Sequence, residues 1–277
     1  MFVNQSVNCR VNEESHMGAP LKNPPVYFTV AQVRFNPLLK LTDFVPSIQE
    51  GLRNAGFPAF TAHTTIALQL SVKDGQTIPQ PVPHEQYLFA NVEQTHCFVL
   101  SSDSLTFQST DYGTYERFSE VFLEGLALVH TEVALAFTDR VGLRYLDHVF
   151  PKAGDSLTLY LASGVQGLSS QLGGQPVHSY SEALNAVGNV MLRARVVIQN
   201  GGLGFPPDLL PQGMAVQQRF QQAQGMHAIL DTDGSVEGRA LFSLDAVRQH
   251  LHSIHEVIGA AFKATVTEHA LEVWNEA

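Results

Sequence analysis

Apolar and polar positions alternate through VYFTVAQVRF, residues 26–35. Ala31, Val33 and Phe35 fall on one side of an extended chain, with Val30, Gln32 and Arg34 on the other. A period of two is the signature of a strand with one buried face, and Pro24 and Pro25 mark where it starts. The period then changes: Phe44, Val45, Ile48, Leu52 and Ala55 recur at helical spacing, with Thr42 or Asp43 as cap and Gly56 as stop. HTTIALQLSV, residues 63–72, returns to alternation, and KDGQ supplies a turn. The three prolines of IPQPVPHE, residues 78–85, predict a loop, because proline has no N–H to offer a ladder. YLFANVE, HCFVLSSD and SLTFQST read as further strands joined by tight turns.

Thr114 is positioned to cap a second helix whose Phe118, Val121, Phe122, Leu126 and Val129 form one stripe. It leads into the strand FTDRVGLRYLDHVF, residues 137–150. Beyond Pro151 the pattern weakens, and SLTLYLASGVQGLSSQLGG reads as a short helix and loop. HSYSEALNAV and NVMLRARVVIQN predict a hairpin around Gly188 and Asn189, GGLGFPPDLLPQG a surface connection, and MHAILDTDG a strand closed by a DTDG turn. Ser243 caps a long final helix with Leu244, Val247, Leu251, Ile254, Ile258 and Phe262 at helical spacing, and a last short helix runs from Thr267 to Trp274. This order predicts an α+β fold, a mostly antiparallel sheet with helices on one face. Residues 1–20 read as a flexible extension, 21–150 as an N-terminal portion and 151–277 as a C-terminal portion ending in the long helix. A layout of two similar halves is compatible with this order.

Composition narrows the function. Of 277 residues 44% are apolar, enough for a substantial core, and only 15% are charged, below the usual proportion of about 25%. A surface this neutral favours contact with partners. The formal charge of −10 argues against duplex DNA or an anionic membrane as partner, since both require a basic face. No apolar run is long enough to span a bilayer, and the first residues lack the pattern of a secretion signal. Cys9 and Cys97 are too few for a disulfide framework, so a cytoplasmic setting is expected. The sequence carries no nucleophile elbow, phosphate-binding lysine loop, dinucleotide glycine fingerprint or His-Glu-x-x-His motif. Accordingly, no catalytic residue and no cofactor are assigned.

Three groups of residues carry some chemistry. His252, His255 and Glu256 lie at helical spacings that suit a shared metal, but without the glutamate-between-histidines pattern of helical zinc sites. They read more simply as side chains flanking a core stripe. Asp231 and Asp233 offer two carboxylates to a divalent cation, yet a hairpin turn accounts for DTDG without one. The arginines are the third group. Arg140, Gly142 and Arg144 share one face of their strand, and pairing of that strand with the first would add Arg34 and Gln32. Guanidiniums that cluster need carboxylates or an anionic ligand between them. Arg193 and Arg195 repeat the alternation farther along the chain.

The stretches NPPVYFTVAQVRFNPLLKL, FQSTDYGTYERF, TDRVGLRYLDHVF and HAILDTDG resemble a sporadically distributed, uncharacterised prokaryotic family of about this length. The similarity covers nearly the whole chain from about residue 21, and its most specific part pairs QVRF with R-x-G-L-R-Y. The family carries no established activity. Its patchy occurrence implies a place among mobile or defence-related genes. Asp147 and His148 stand where the resemblance leads one to expect an asparagine after R-Y-x. Two functions are therefore expected. The first is a non-enzymatic factor that binds another protein, or a second copy of itself through the C-terminal helix. The alternative is a small-anion or nucleotide-binding domain using Arg34, Arg140, Arg144, Gln32 and Tyr145, with phosphoester chemistry if a nearby histidine serves as base.

Overall fold

The computed structural model describes residues 21–73, 76–174, 176–209, 211 and 213–276. The extension expected over residues 1–20 lies outside the described residues, as do the two central residues of the KDGQ turn. The described strands are β1 (Val26–Phe35), β2 (Ala59–Lys73), β3 (Gln76–Ala90), β4 (His96–Ser101), β5 (Ser104–Ser109), β6 (Phe137–Val149), β7 (His178–Val187), β8 (Val190–Gly201) and β9 (Gly225–Leu241). They form one sheet in the order β2-β3-β4-β5-β1-β6-β9-β8-β7, and every adjacent pair is antiparallel. The helices are α1 (Leu41–Asn54), α2 (Tyr115–Val133), α3 (Gln218–Gln221), α4 (Leu244–Thr265) and α5 (Glu268–Asn275). The fold is α+β, as the element order predicts. Residues 21–150 contribute six of the strands and 151–277 three, and the two portions meet at β6 and β9 within a single sheet.

Local chemistry accounts for most boundaries. Thr114, Ser243 and Thr267 cap α2, α4 and α5, each side chain accepting a hydrogen bond from the backbone N–H three residues on. By contrast, α1 starts at Leu41, ahead of Thr42 and Asp43, without a side-chain cap. Gly188 takes a left-handed φ of 59° in the hairpin between β7 and β8, as expected for a tight hairpin turn.

Two expectations fail for instructive reasons. The proline-rich segment is part of β3, where Pro79, Pro81 and Pro83 lie opposite Leu70, Leu68 and Ile66 of β2. Successive residues of a strand turn their N–H groups to opposite neighbours, so prolines two apart all remove donors from the same side. β4 pairs only with Tyr87–Ala90, leaving that side of the proline stretch without a neighbour. The prolines thus keep the ladder with β2 intact and blunt an open edge. The second failure is DTDG, which is mid-strand. β9 runs unbroken from Gly225 to Leu241, paired to β6 and β8 on its two sides. Gly234 is needed there for closeness: a Cβ at this position would lie 2.5 Å from Cγ2 of Ile254 on α4.

The two sheet faces are covered differently. On one face Ala31, Val33, Phe107, Val141 and Leu143 pack with Ile48 and Leu52 of α1, Phe118, Phe122 and Leu126 of α2, and Val247, Leu251, Ile254 and Ile258 of α4. Toward the end of β6 the same face meets α5, where Val149, Leu230 and Val196 pack with Tyr160, Ala270 and Trp274. On the other face, among the described residues, only 203–209 and 214–220 lie down, placing Leu203, Phe205, Leu209 and Phe220 over Phe28, Val30, Leu146 and Ile229. A bulge assists: Val26 lies opposite Asp147 and Phe28 opposite Leu146, so the extra residue Tyr27 joins Phe28 on this face. The stripe of α4 is spent on its own sheet, which removes the apolar face through which a second copy was expected to dock.

Substituting Gly234→Ala is expected to lower unfolding stability by about 1–3 kcal/mol through overpacking against α4, measured by urea denaturation. In an Ile254→Ala background, which lacks that Cγ2, the same Gly234→Ala substitution should cost less. An effect of the same size in both backgrounds would show that the two residues do not meet.

Candidate functional site

β1 and β6 pair as the arginine pattern requires, with Arg34 opposite Arg140 and Val30 opposite Arg144. Alternation then puts Gln32, Arg34, Arg140 and Arg144 on the face turned away from the long helices. The register of β9 and β8 brings Asp231, Asp233, Arg193 and Arg195 to the same face, with Arg195 opposite Asp231 and Arg193 opposite Asp233. β7 adds Glu182, opposite Arg195.

Arg144 is the centre of this lattice. Its Nε and Nη2 donate to the two oxygens of Asp231 at 2.6 and 2.8 Å, and Nη1 and Nη2 donate to Asp208 at 2.7 and 3.4 Å. Arg144 and Asp231 are both buried, at 8% and 2% exposure. Burial alone would depress the arginine pKa, but hydrogen bonds from Asp231 and Asp208 outweigh it and raise the value above normal. The bond to Arg144 in turn lowers the pKa of Asp208. Arg195 donates from Nη1 to Asp231 at 3.0 Å. Its Nε lies 2.9 Å from Glu182 Oε2 without a hydrogen bond forming, so the contact is coulombic. Arg140 is held more loosely, 3.7 Å from Asp233 and 3.6 Å from Glu237, and it donates to Gln32 Oε1 at 3.3 Å. A Cβ on Gly142 would sit 2.5 Å from Nη1 of Arg140, so the glycine gives that guanidinium room to lie along the strand.

The residues proposed for an anion share a face but not a spot. Arg140 and Arg144 are four strand positions apart, about 13 Å at the usual rise. Arg34 pairs with Asp103 at 3.6 Å. Tyr145 is on the opposite face, where its hydroxyl meets Tyr112 at 2.9 Å and His255 Nδ1 at 3.2 Å, so it cannot contribute to a pocket with Arg144. An anion at Arg144 would have to displace Asp231 or Asp208. Carboxylates of the chain therefore occupy the place offered to a ligand.

The metal group is likewise dispersed. His255 stacks on Tyr115 with ring centroids 4.0 Å apart and an interplanar angle of 4°, and burial lowers its pKa. Among the described residues no three His, Cys, Asp or Glu side chains gather as a metal site. His252 and Glu256 do not join His255 in one, and the two carboxylates of DTD bind arginines.

Two buried titratable groups follow Arg144 on the same strand. Asp147 faces the helical side by alternation and has no hydrogen bond or ion pair to a described residue; burial pushes its pKa up to about 7. His148, on the arginine side, packs edge-on against His227 at 4.7 Å. Burial, with a smaller contribution from His227, lowers its pKa to about 4, and its buried Nε2 has no partner.

The sequence matches no protein-family model and no curated protein. Fold and site together define an α+β protein with a nine-stranded antiparallel sheet, helices on one face and a charged lattice on the other. No helix of the described residues is long and apolar enough to cross a membrane.

Replacing Arg144 with Ala would leave Asp231 buried with one weaker cation, at an expected cost of about 3–5 kcal/mol. Arg34→Ala at the solvated pair should cost less than about 1 kcal/mol. Denaturant titration of both variants would separate a structural lattice from a ligand clamp, which would tolerate loss of either arginine.

Folding favours protonated Asp147, because its folded pKa of about 7 exceeds the ordinary aspartate value of 3.8. Its contribution is complete below that lower value and is lost as pH rises through the interval, at about 1.4 kcal/mol per unit. His148 acts in the opposite sense, destabilising as pH falls from 6.5 toward about 4. Asp147→Asn should therefore stabilise the protein at pH 8 and leave the His148 slope alone at lower pH. Melting temperatures from pH 4 to 8 test this; equal curves for both proteins would refute a buried neutral Asp147.

Proposed function

We propose that the protein is a non-enzymatic binding factor that recognises another protein through the edge hairpin β7–β8 and the adjoining charged sheet face. The observation that carries this reading is the composition of that surface. Tyr180 and Leu184 of β7 and Met191 of β8 stand at 55%, 57% and 45% exposure, and by alternation they share the face that carries Glu182, Arg193 and Arg195. Apolar and aromatic side chains standing out of a charged surround make the composition of a protein contact surface, in which tyrosine and arginine carry disproportionate energy.

The surface is also built to stay put. β7 is the last strand of the sheet, so its outer edge has free backbone donors and acceptors that suit strand addition by a partner. Behind it, β8 is fixed to β9 by paired backbone and by the Arg195–Asp231 bond. A partner would meet a preorganised plate and spend little free energy ordering it. The place among mobile or defence-related genes implied by the sequence resemblance suits a factor whose action is to occupy another protein.

Affinity capture from the native host should recover a partner with the unaltered chain, and the purified partner should bind again. Leu184→Glu together with Tyr180→Ala should weaken that binding at least tenfold with an unchanged melting temperature, because both side chains are exposed. A chain that sediments as a lone monomer and captures no partner, or binding indifferent to both substitutions, would reject this reading.

A further inference from the structure

A cavity of about 320 Å³ opens where the end of β6, α3 and the C-terminal helix α5 meet. It is separate from the charged lattice and from the β7–β8 hairpin. Its wall is aromatic: Phe150, Phe220, Trp274 and the imidazole of His148 line it. Phe220, Trp274 and His148 are buried, whereas Phe150 is partly exposed at 36%. A space of this size is at the low end for a small-molecule site.

The polar groups in the wall are weighted toward positive charge. Lys152 and Arg219 stand there with a single acid, Glu276, and Glu276 is already bonded to Lys152. Arg219 has no carboxylate partner among the described residues. Its Nε donates to Gln217 Oε1 at 2.9 Å and its Nη2 to the carbonyl of Pro24 at 3.0 Å, while its Cζ lies 4.2 Å from the centroid of the Phe220 ring. The guanidinium thus lies over one wall and is oriented by neutral acceptors, with Nη1 uncommitted among the described residues. In a chain with a formal charge of −10, a cavity wall with an excess of one cation is a local reversal. His148, buried and neutral near pH 7, adds an imidazole whose Nε2 has no partner among the described residues.

We infer that this cavity binds a small organic anion, a carboxylate on a planar aromatic body, with Arg219 and Lys152 facing the carboxylate and Phe150, Phe220 and Trp274 enclosing the ring. A guanidinium oriented by neutral acceptors offers a planar donor edge that matches a carboxylate, and the aromatic walls exclude water from the body. Bare inorganic anions would gain only half of this complementarity.

Trp274 is the only tryptophan of the chain, so its emission reports directly on the cavity. Titration with benzoate should change that emission saturably, with half-saturation below about 1 mM. Benzyl alcohol, which keeps the ring without the charge, and inorganic phosphate, which keeps charge without the ring, should each bind at least tenfold more weakly. Arg219→Gln should weaken benzoate at least tenfold, while Arg193→Gln, on the sheet face, should leave it unchanged. Absence of a saturable change with benzoate would overturn the inference, as would equal binding of benzyl alcohol or phosphate. Should Arg219→Gln fail to fold through loss of the Pro24 bond, the ligand comparison on the unaltered protein decides alone.

Discussion

The guanidinium of Arg144 joins three parts of the chain that share no local sequence: β6, β9 through Asp231, and the covering segment through Asp208. Two carboxylates in bidentate contact satisfy its donors in a place from which water is largely excluded. A single unpaired charge there would be strongly destabilising, whereas the matched set is tolerated because every charge has a counterpart. The consequence is register. A shift of β9 by one residue against β6 would turn both aspartates to the helical face and bury them among leucines and phenylalanines. The lattice therefore specifies how the C-terminal strands join the N-terminal ones, which is where the sheet is at risk of mispairing.

The opposite face obeys a different rule. There the sheet is apolar and α1, α2 and α4 supply ridges that fill it, with glycine used where a helix must come close: Gly125 of α2, where a Cβ would meet the Phe98 ring at 2.3 Å, and Gly234 of β9. Asp147 breaks this rule. It is a carboxyl on the helical side with no cation to meet it among the described residues, and burial favours its neutral form. An asparagine would supply a neutral amide of nearly the same shape at that point.

Much of this was legible in the sequence, because alternation and capping are local. β1, the caps of α2, α4 and α5, the β7–β8 hairpin and the shared face of Arg140 and Arg144 all follow from spacing within a dozen residues, and Arg34 joins that face through the expected pairing of β1 with β6. What stayed hidden depended on neighbours distant in the chain. Prolines argue for a loop unless the strand has one open side, and nothing within residues 78–85 states that it does. DTDG has the composition of a turn, and only the approach of Ile254 explains its glycine. Read as a strand, the same four residues would have placed Asp231 and Asp233 two apart on one face, the spacing needed to answer two arginines. Asp208, in a proline-rich connection, gave no signal at all.

The uneven covering of the sheet leaves exposed the surface on which the proposed recognition rests. The segment around residues 203–220 reaches across β1, β6 and β9 and brings Asp208 to Arg144, but Tyr180, Leu184 and Met191 at the far edge remain exposed. Burying those side chains would return apolar free energy of about 25 cal/mol per Å², and the chain offers no element to do so among its described residues. The charges beside them are already paired, so a partner need not neutralise them and can exchange water for apolar contact at little electrostatic cost. A plate whose charges are paired from within and whose apolar groups stand exposed is the surface on which the proposed docking rests.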